Sequence, residues 1–130
     1  MSEHPQPPFA DFIGMKITHL TPEGANGELV ATEENSNRFG ALHGGAIMTL
    51  ADTLGGMSTL IGLPKGSTTT TIESKTNFLA AIPVGNTARG ECTALHRGRT
   101  TMVWQTKITR DDGRLAAVVT QTQLVIPPKS

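Results

Sequence analysis

The sequence predicts an α+β protein in which one long helix covers an antiparallel sheet of about six strands. Three observations carry this expectation. Residues 44–61 are the one long stretch with helical periodicity, with Ile47, Leu50, Leu54, Met57 and Ile61 recurring at spacings of three and four. From residue 68 onward, β-branched and alternating residues dominate. Turn signals divide that second half into four segments, and two further strand-like segments precede the helix. A chain of 130 residues has room for one domain and not for two.

In chain order, residues 1–8 are rich in Pro and Gln and are expected to fray. Phe9 to Ile13 can make a short helical turn, so 1–13 form a tail and 14–130 the domain. Met15 to Thr21 and Gly27 to Thr32 read as strands around the turn Thr21-Pro22-Glu23-Gly24. A polar loop, Glu33 to Gly40, leads to the helix over Gly44 to Ile61, which Pro64, Lys65 and Gly66 end. Strands follow over Thr68 to Leu79, Thr87 to His96, Thr100 to Thr109 and Arg114 to Ile126. Pro83-Val84-Gly85-Asn86 and Asp111-Asp112-Gly113 supply turns between them. In Thr100 to Thr109, Met102, Trp104, Thr106 and Ile108 share one face and Gln105 and Lys107 the other.

Composition excludes several classes of function. Eleven basic side chains balance eleven acidic ones, so a generic polyanion binder is not expected. Tyr is absent and four Phe and one Trp remain, which leaves few platforms for stacking bases and speaks against a nucleic-acid partner. The charge is nonetheless uneven. Residues 1–60 carry seven acids and two bases, whereas 61–130 carry four acids and nine bases. Lys65, Arg97, Arg99, Lys107, Arg110 and Arg114 supply much of the basic half, either as solvated faces or as a patch for a phosphorylated small ligand. No apolar run approaches the about 20 residues of a bilayer span, and the N-terminus lacks the basic-then-apolar pattern of a secretory signal. A single cysteine, Cys92, excludes an internal disulfide and reads as a small core residue. A reduced, cytoplasmic protein without membrane contact is the expectation. The four His show no ligand spacing, so no metal is expected.

Common catalytic signatures are missing. Gly56-Met57-Ser58-Thr59-Leu60 begins like a nucleophile elbow but lacks its last Gly. Neither a P-loop, a His-Glu-x-x-His nor a Gly-x-Gly-x-x-Gly occurs. What stands out is Asn37-Arg38-Phe39-Gly40-Ala41-Leu42-His43-Gly44-Gly45, leading directly into the helix. Two glycines there let a ligand approach the backbone, and the first helical N–H groups lack internal partners and carry partial positive charge. Such a terminus can stabilise an oxygen that becomes negative during reaction, with Asn37 and His43 adding polar contacts. Equally, the glycines can form a tight turn and His43 a plain helix cap. The second feature is Asp52, an acid amid small and apolar helix residues. It is either an exposed helix acid or a half-buried carboxylate suited to base or nucleophile work. Nine residues separate His43 from Asp52, about 13.5 Å of rise and about 900° of rotation, so the two face nearly opposite ways. If both act on one atom, they must come from two chains related by a two-fold axis.

The spacing Asn37-x5-His43-Gly44-Gly45-x6-Asp52 resembles the hotdog-fold acyl-CoA thioesterases, in particular the phenylacetate-pathway and 4-hydroxybenzoyl-CoA types. Thr76-Asn77-Phe78-Leu79 and Leu95-His96-Arg97-Gly98-Arg99-Thr100-Thr101 extend the likeness to nearly the whole chain. The resemblance implies a long helix wrapped by the sheet, a homodimer as the catalytic unit and a homotetramer as the assembly. It implies hydrolysis of an acyl-CoA to free acid and coenzyme A, with no cofactor, since the coenzyme is part of the substrate. Gly44 would polarise the thioester carbonyl, with Gly45 beside it. Asn37 and His43 would position thioester or water, and Asp52 of the neighbouring subunit would be base or nucleophile. A hydroxyl 18 or 19 residues after the acid would hold water or acid, which leaves Thr70 and Thr71 open. Arg97, Gly98, Arg99 and Thr100 would lie near the nucleotide of coenzyme A. Met48, Leu54 and Met57 are expected to line an adaptable pocket for an aromatic or medium-chain acyl group. A hydratase or dehydratase acting on acyl thioesters, and a non-catalytic acyl-CoA-binding module, are the alternatives.

Overall fold

The computed structural model describes residues 5–129. Its elements are α1 (Pro8–Ile13), β1 (Met15–Thr21), β2 (Gly24–Val30), α2 (Gly44–Ile61), β3 (Thr68–Phe78), β4 (Thr87–Arg97), β5 (Thr101–Thr109) and β6 (Leu115–Ile126). The strands form a six-stranded antiparallel sheet in the order β1-β2-β4-β5-β6-β3, with α2 laid across it. The α+β expectation therefore holds, and α2 spans the residues that its periodicity indicates.

The helix is seated by Leu50 and Leu54, both fully buried. They press against backbone rather than side chains: a Cβ added at Gly27 or Gly90 would stand 3.0 Å from a Leu54 methyl carbon. These two glycines, paired across β2 and β4, let the helix approach the sheet closely. β2 starts three residues before the strand expected at Gly27. Gly24, Ala25 and Asn26 lack strand-like side chains, yet they pair with Thr93, Cys92 and Glu91. The actual turn is Pro22-Glu23, closed by the Thr21 hydroxyl, which donates to the Gly24 carbonyl and accepts from Glu23 N–H.

Elsewhere the inward faces fill as the alternation requires. Met102, Trp104, Thr106 and Ile108 are buried, while Lys107 is exposed. The Trp104 indole N–H donates to Thr59 Oγ1 at 2.8 Å, and Thr59 donates to the Gly55 carbonyl at 2.8 Å. A large aromatic is thus buried without an orphaned donor. Cys92 is buried as expected, and burial pushes its thiol up to about 11.

Two expectations fail. Residues 5–8 are not loose: the Gln6 amide donates to Asp11 and to the Met15 carbonyl and accepts from Ile17 N–H, tying the segment to α1 and β1. Residues 1–4 lie outside the described part. Leu54 does not line a pocket, because helical geometry turns it squarely onto the sheet, where it has no exposed surface. Among the described residues, no helix is long and apolar enough to cross a membrane.

Leu54→Ala should therefore lower stability by about 2–5 kcal/mol in urea unfolding, the usual range for emptying a packed core site. A pocket-lining role would instead leave the unfolding midpoint nearly unchanged.

Candidate active site

The loop before α2 is organised by Asn35, a buried residue that sequence reasoning passed over. Its amide donates to the carbonyls of Ile13 and Val30 and accepts from Thr32 N–H, and its backbone carbonyl accepts from His43 N–H. Asn37 folds the next turn: its Oδ1 accepts from Phe39 N–H at 2.8 Å and Ala41 N–H at 3.2 Å. The side-chain oxygen of Asn37 is thereby used within its own loop, and only its amide nitrogen is left to face a ligand.

His43 is the N-cap of α2, and its Nδ1 accepts from Gly45 N–H at 2.8 Å. A neutral ring so placed carries its proton on Nε2. Ala46 and Ile47 donate to the His43 carbonyl, so these three early amides are satisfied. Gly44 N–H makes no hydrogen bond among the described residues. It is the free donor of the helix start. The cap and the free amide coexist, so the two sequence readings of this segment are both partly met. Gly44 and Asn37 line one cavity of about 420 Å³ together with Phe78 and Ile82. His43 and Gly45 face another, of about 780 Å³, with Phe9, Phe12 and Ile13.

Asp52 lies in the middle of α2 and is half-buried. Thr71 donates to its Oδ1 at 2.5 Å. Gln123 Nε2 donates to Thr71 Oγ1 at 2.6 Å, and Gln123 Oε1 lies 2.9 Å from the Thr69 hydroxyl. Gln121 Nε2 reaches the Asp52 carbonyl at 3.3 Å and Oδ1 at 3.5 Å. Asp52 Oδ2 makes no hydrogen bond among the described residues. The open choice between Thr70 and Thr71 falls to Thr71 as the partner of Asp52. Thr70, next to it on the strand, is exposed and makes no such bond.

Register explains this selection. Thr71 pairs directly with Gln123 across β3 and β6, and the pairing then slips, so that Ile72 and Glu73 oppose Thr122. This β-bulge leaves both Ile72 and Glu73 exposed and turns Ser74 and Thr76 inward. Without it, Glu73 and Lys75 would continue the inward face begun by Thr69 and Thr71. Gln121 and Gln123 occupy inward positions of β6, at 0% and 1% exposure. Their alternation with Ala117 and Val119 was the signal available in the sequence. Gly55 makes room for Gln121, since a Cβ there would lie 2.6–2.8 Å from its amide.

One chain does not bring these two clusters together. Asp52, Thr71, Met57 and Gln123 line a cavity of about 450 Å³, and Met48 borders Asp52 on another side, at about 390 Å³. Gly44 borders neither. Arg97 belongs to the far end of α2, where its Nη2 would lie 3.4 Å from a Cβ on Gly62. An 18-residue helix places that end about 27 Å from Gly44. Gly98 closes the bend between β4 and β5 by donating to the Thr101 carbonyl, and Arg99 and Thr100 stand exposed on it.

Ion pairing reduces the basic patch that the sequence suggested. Arg97 meets Glu23 at 3.4 Å, Arg110 meets Asp112 at 3.0 Å, and Arg89 meets Asp111 at 2.7 Å. The Arg89 and Arg110 guanidiniums hold the carboxyls of Asp111 and Asp112 below the usual range. These are solvated faces, and among the described residues Arg99 and Lys107 have no carboxylate oxygen within ion-pairing distance.

The profile of the Thioesterase superfamily matches residues 39–117. The chain is 30% identical over 104 residues to the proofreading thioesterase EntH of Cronobacter turicensis, covering 80% of this chain and 75% of that protein. A crystal structure of a mutant of the thioesterase PA1618 from Pseudomonas aeruginosa superposes with a TM-score of 0.86 at 28% identity, covering 92% of this chain and 86% of the other. A hypothetical thioesterase from Streptococcus pneumoniae, solved with coenzyme A, superposes at 0.79 with 27% identity, covering 90% and 89%.

The fit of Gly55 under Gln121 can be tested by a substitution with two opposed effects. Gly55→Ala raises helix propensity by about 1 kcal/mol, but overpacking a filled site costs about 1–3 kcal/mol. The variant should unfold at lower urea than the parent; an unchanged or higher midpoint would contradict the contact.

Proposed function

The chain belongs to the thioesterase superfamily, with its hotdog fold, and is a thioester hydrolase; from that premise we propose that it hydrolyses acyl-CoA to free acid and coenzyme A in a site shared by two protomers. One observation carries the reading. The free Gly44 amide and the Thr71-held Asp52 carboxylate are unfinished polar groups of α2 that open onto cavities, and they lie on different sides of it, lining different ones. A second copy related by a two-fold axis brings the Asp52 of one chain to the Gly44 of the other. Phe78 and Leu79 line the Gly44 cavity at 53% and 52% exposure, and Phe39 in the loop before α2 is 86% exposed, apolar surface of the kind a partner subunit covers. The relative solved with coenzyme A supports the choice of acyl carrier.

In this mechanism the thioester carbonyl oxygen accepts from Gly44 N–H, reinforced by the dipole of α2. Attack at the carbonyl carbon places negative charge on that oxygen, where a preoriented amide needs no rearrangement; such a donor lowers the barrier by ~3–4 kcal/mol. Asp52 supplies Oδ2, either to take a proton from the attacking water or to attack and form an anhydride that water then opens. In the base route the proton taken by Asp52 passes to the departing sulfur and the coenzyme leaves as its thiol; in the anhydride route it leaves as the thiolate, and the water that opens the anhydride supplies the proton afterwards. The amide nitrogen of Asn37 and Nε2 of His43 orient the thioester or the water. Met48 and Met57 border the acyl group, an aromatic or medium-chain one, and Arg99 with Gly98, Thr100 and Arg97 borders the nucleotide. The chemistry calls on no cofactor or metal. The assembly is a homodimer paired into a tetramer, and a reducing cytoplasm suits the single free cysteine. Membership among hydrolases sets aside the hydratase and binding-module alternatives.

Acyl-CoA esters, phenylacetyl-CoA among them, should release thiol detectable with a trapping dye; the buried Cys92 will not compete for the dye. Asp52→Ala and Asp52→Asn should each lower kcat by about 10²–10⁴-fold, the usual share of a general base. Full activity in either variant would remove Asp52 from the chemistry. Asn37→Ala and Asp52→Ala chains refolded together in equal amounts should recover about a quarter of wild-type activity, because half the dimers are mixed and each mixed dimer holds one intact site. No recovery would place the whole site within one chain.

A further inference from the structure

Beyond the residues that meet the substrate, we propose that Gln123 is a positioning residue of this site. It sets the direction of the Thr71 hydroxyl proton, and so keeps Oδ1 of Asp52 engaged and Oδ2 free. The inference rests on the reading of Asp52 as the reacting carboxylate.

Four groups form one hydrogen-bonded chain: Thr69, Gln123, Thr71 and Asp52. An ionised carboxylate only accepts. Thr71 must therefore give its single proton to Asp52, and its oxygen can then only accept. The group facing it has to be a donor, which fixes the Gln123 amide with its NH₂ toward Thr71 and its carbonyl toward Thr69. The Thr69 hydroxyl lies 2.9 Å from both Gln123 Oε1 and the Leu124 carbonyl, and in this polarity either oxygen can take its proton. The opposite polarity, with Thr69 donating to Leu124 alone, requires a proton on Asp52. The direction of the chain is thus tied to the state of the reacting acid.

Burial makes the device rigid. Gln123 is 1% exposed, and a buried amide without partners would be unfavourable. With Asp52 ionised, both of its ends are satisfied only in this arrangement. Its strand neighbour across β3 is Thr71 itself, held immediately before the β-bulge. Gln121 closes the other side: its NH₂ faces the Asp52 carbonyl and Oδ1, while its own Oε1 is buried and unpartnered. Turning that amide over would set oxygen against the carboxylate, so Gln121 too holds one orientation.

The test is Gln123→Met, which keeps volume and removes both hydrogen bonds. The expected result is a fall in kcat of about tenfold or more with KM within about twofold of wild type. In a Thr71→Val background, Gln123→Met should add almost nothing, because its effect passes through Thr71. Losses that multiply, or an unchanged kcat, would overturn the proposal. A readout independent of turnover is the Thr71 hydroxyl proton in NMR spectra, expected to be protected from exchange in the wild type and not in Gln123→Met. Protection that persists in the variant would also overturn it. If the wild type hydrolyses no thioester, the functional reading fails, while the hydroxyl signal still decides the relay. Should Gln123→Met not fold, Thr69→Val breaks the chain from a half-buried position on β3, with loss of hydroxyl protection expected and retention overturning the relay.

Discussion

Leu50 and Leu54 rest on the bare backbone of Gly27 and Gly90, and the depth of that contact sets the position of every other group on α2. A helix carries its residues on a rigid cylinder, so seating one face determines the azimuth of the rest. With the leucines against β2 and β4, Gly55 comes to face β6 and Asp52 comes within reach of β3. A shallower seat, as larger residues at Gly27 or Gly90 would force, would withdraw Asp52 from Thr71. Core packing and site geometry are therefore one constraint in this fold.

The same seating explains why polar groups persist at the heart of the sheet. Gln121 and Gln123 occupy positions where Val or Leu would serve the core better on transfer energy alone. Thr69 and Thr71 satisfy both ends of the Gln123 amide, and the backbone and side chain of Asp52 take the NH₂ of Gln121, whose buried Oε1 has no partner among the described residues. An acid anchored through several partners keeps one rotamer, and in the proposed role of Asp52 that fixed orientation is worth more than a slightly drier core is to stability. Gly55 belongs to this compromise, since a helix-interior glycine is otherwise unfavourable.

At the helix start the opposite economy operates. Asn35 and Asn37 consume most of the polar capacity of the loop in shaping it, and His43 satisfies the Gly45 amide. The Gly44 N–H is left over. A free amide at one site and a half-used carboxylate at another are the two groups that the proposed shared site would join, and the exposed Phe78 and Leu79 border the cavity of the first.

Much of this was legible in the residues themselves. The helix limits followed from local periodicity, the strand faces of β5 from alternation, and the Asn37, His43-Gly44-Gly45 and Asp52 spacing from resemblance to the hotdog thioesterases. These are short-range patterns, set by the backbone period of each element. Three things were decided only by tertiary structure. Thr71 rather than Thr70 meets Asp52, because a bulge in β3 sets which side faces in. Leu54 belongs to the core rather than to a pocket, because the glycines it packs against lie 27 and 36 residues away in sequence. Gln121 and Gln123 join the site from a strand about 70 residues beyond Asp52. Periodicity tells which residues share a face; only the long-range pairing of strands tells what that face meets.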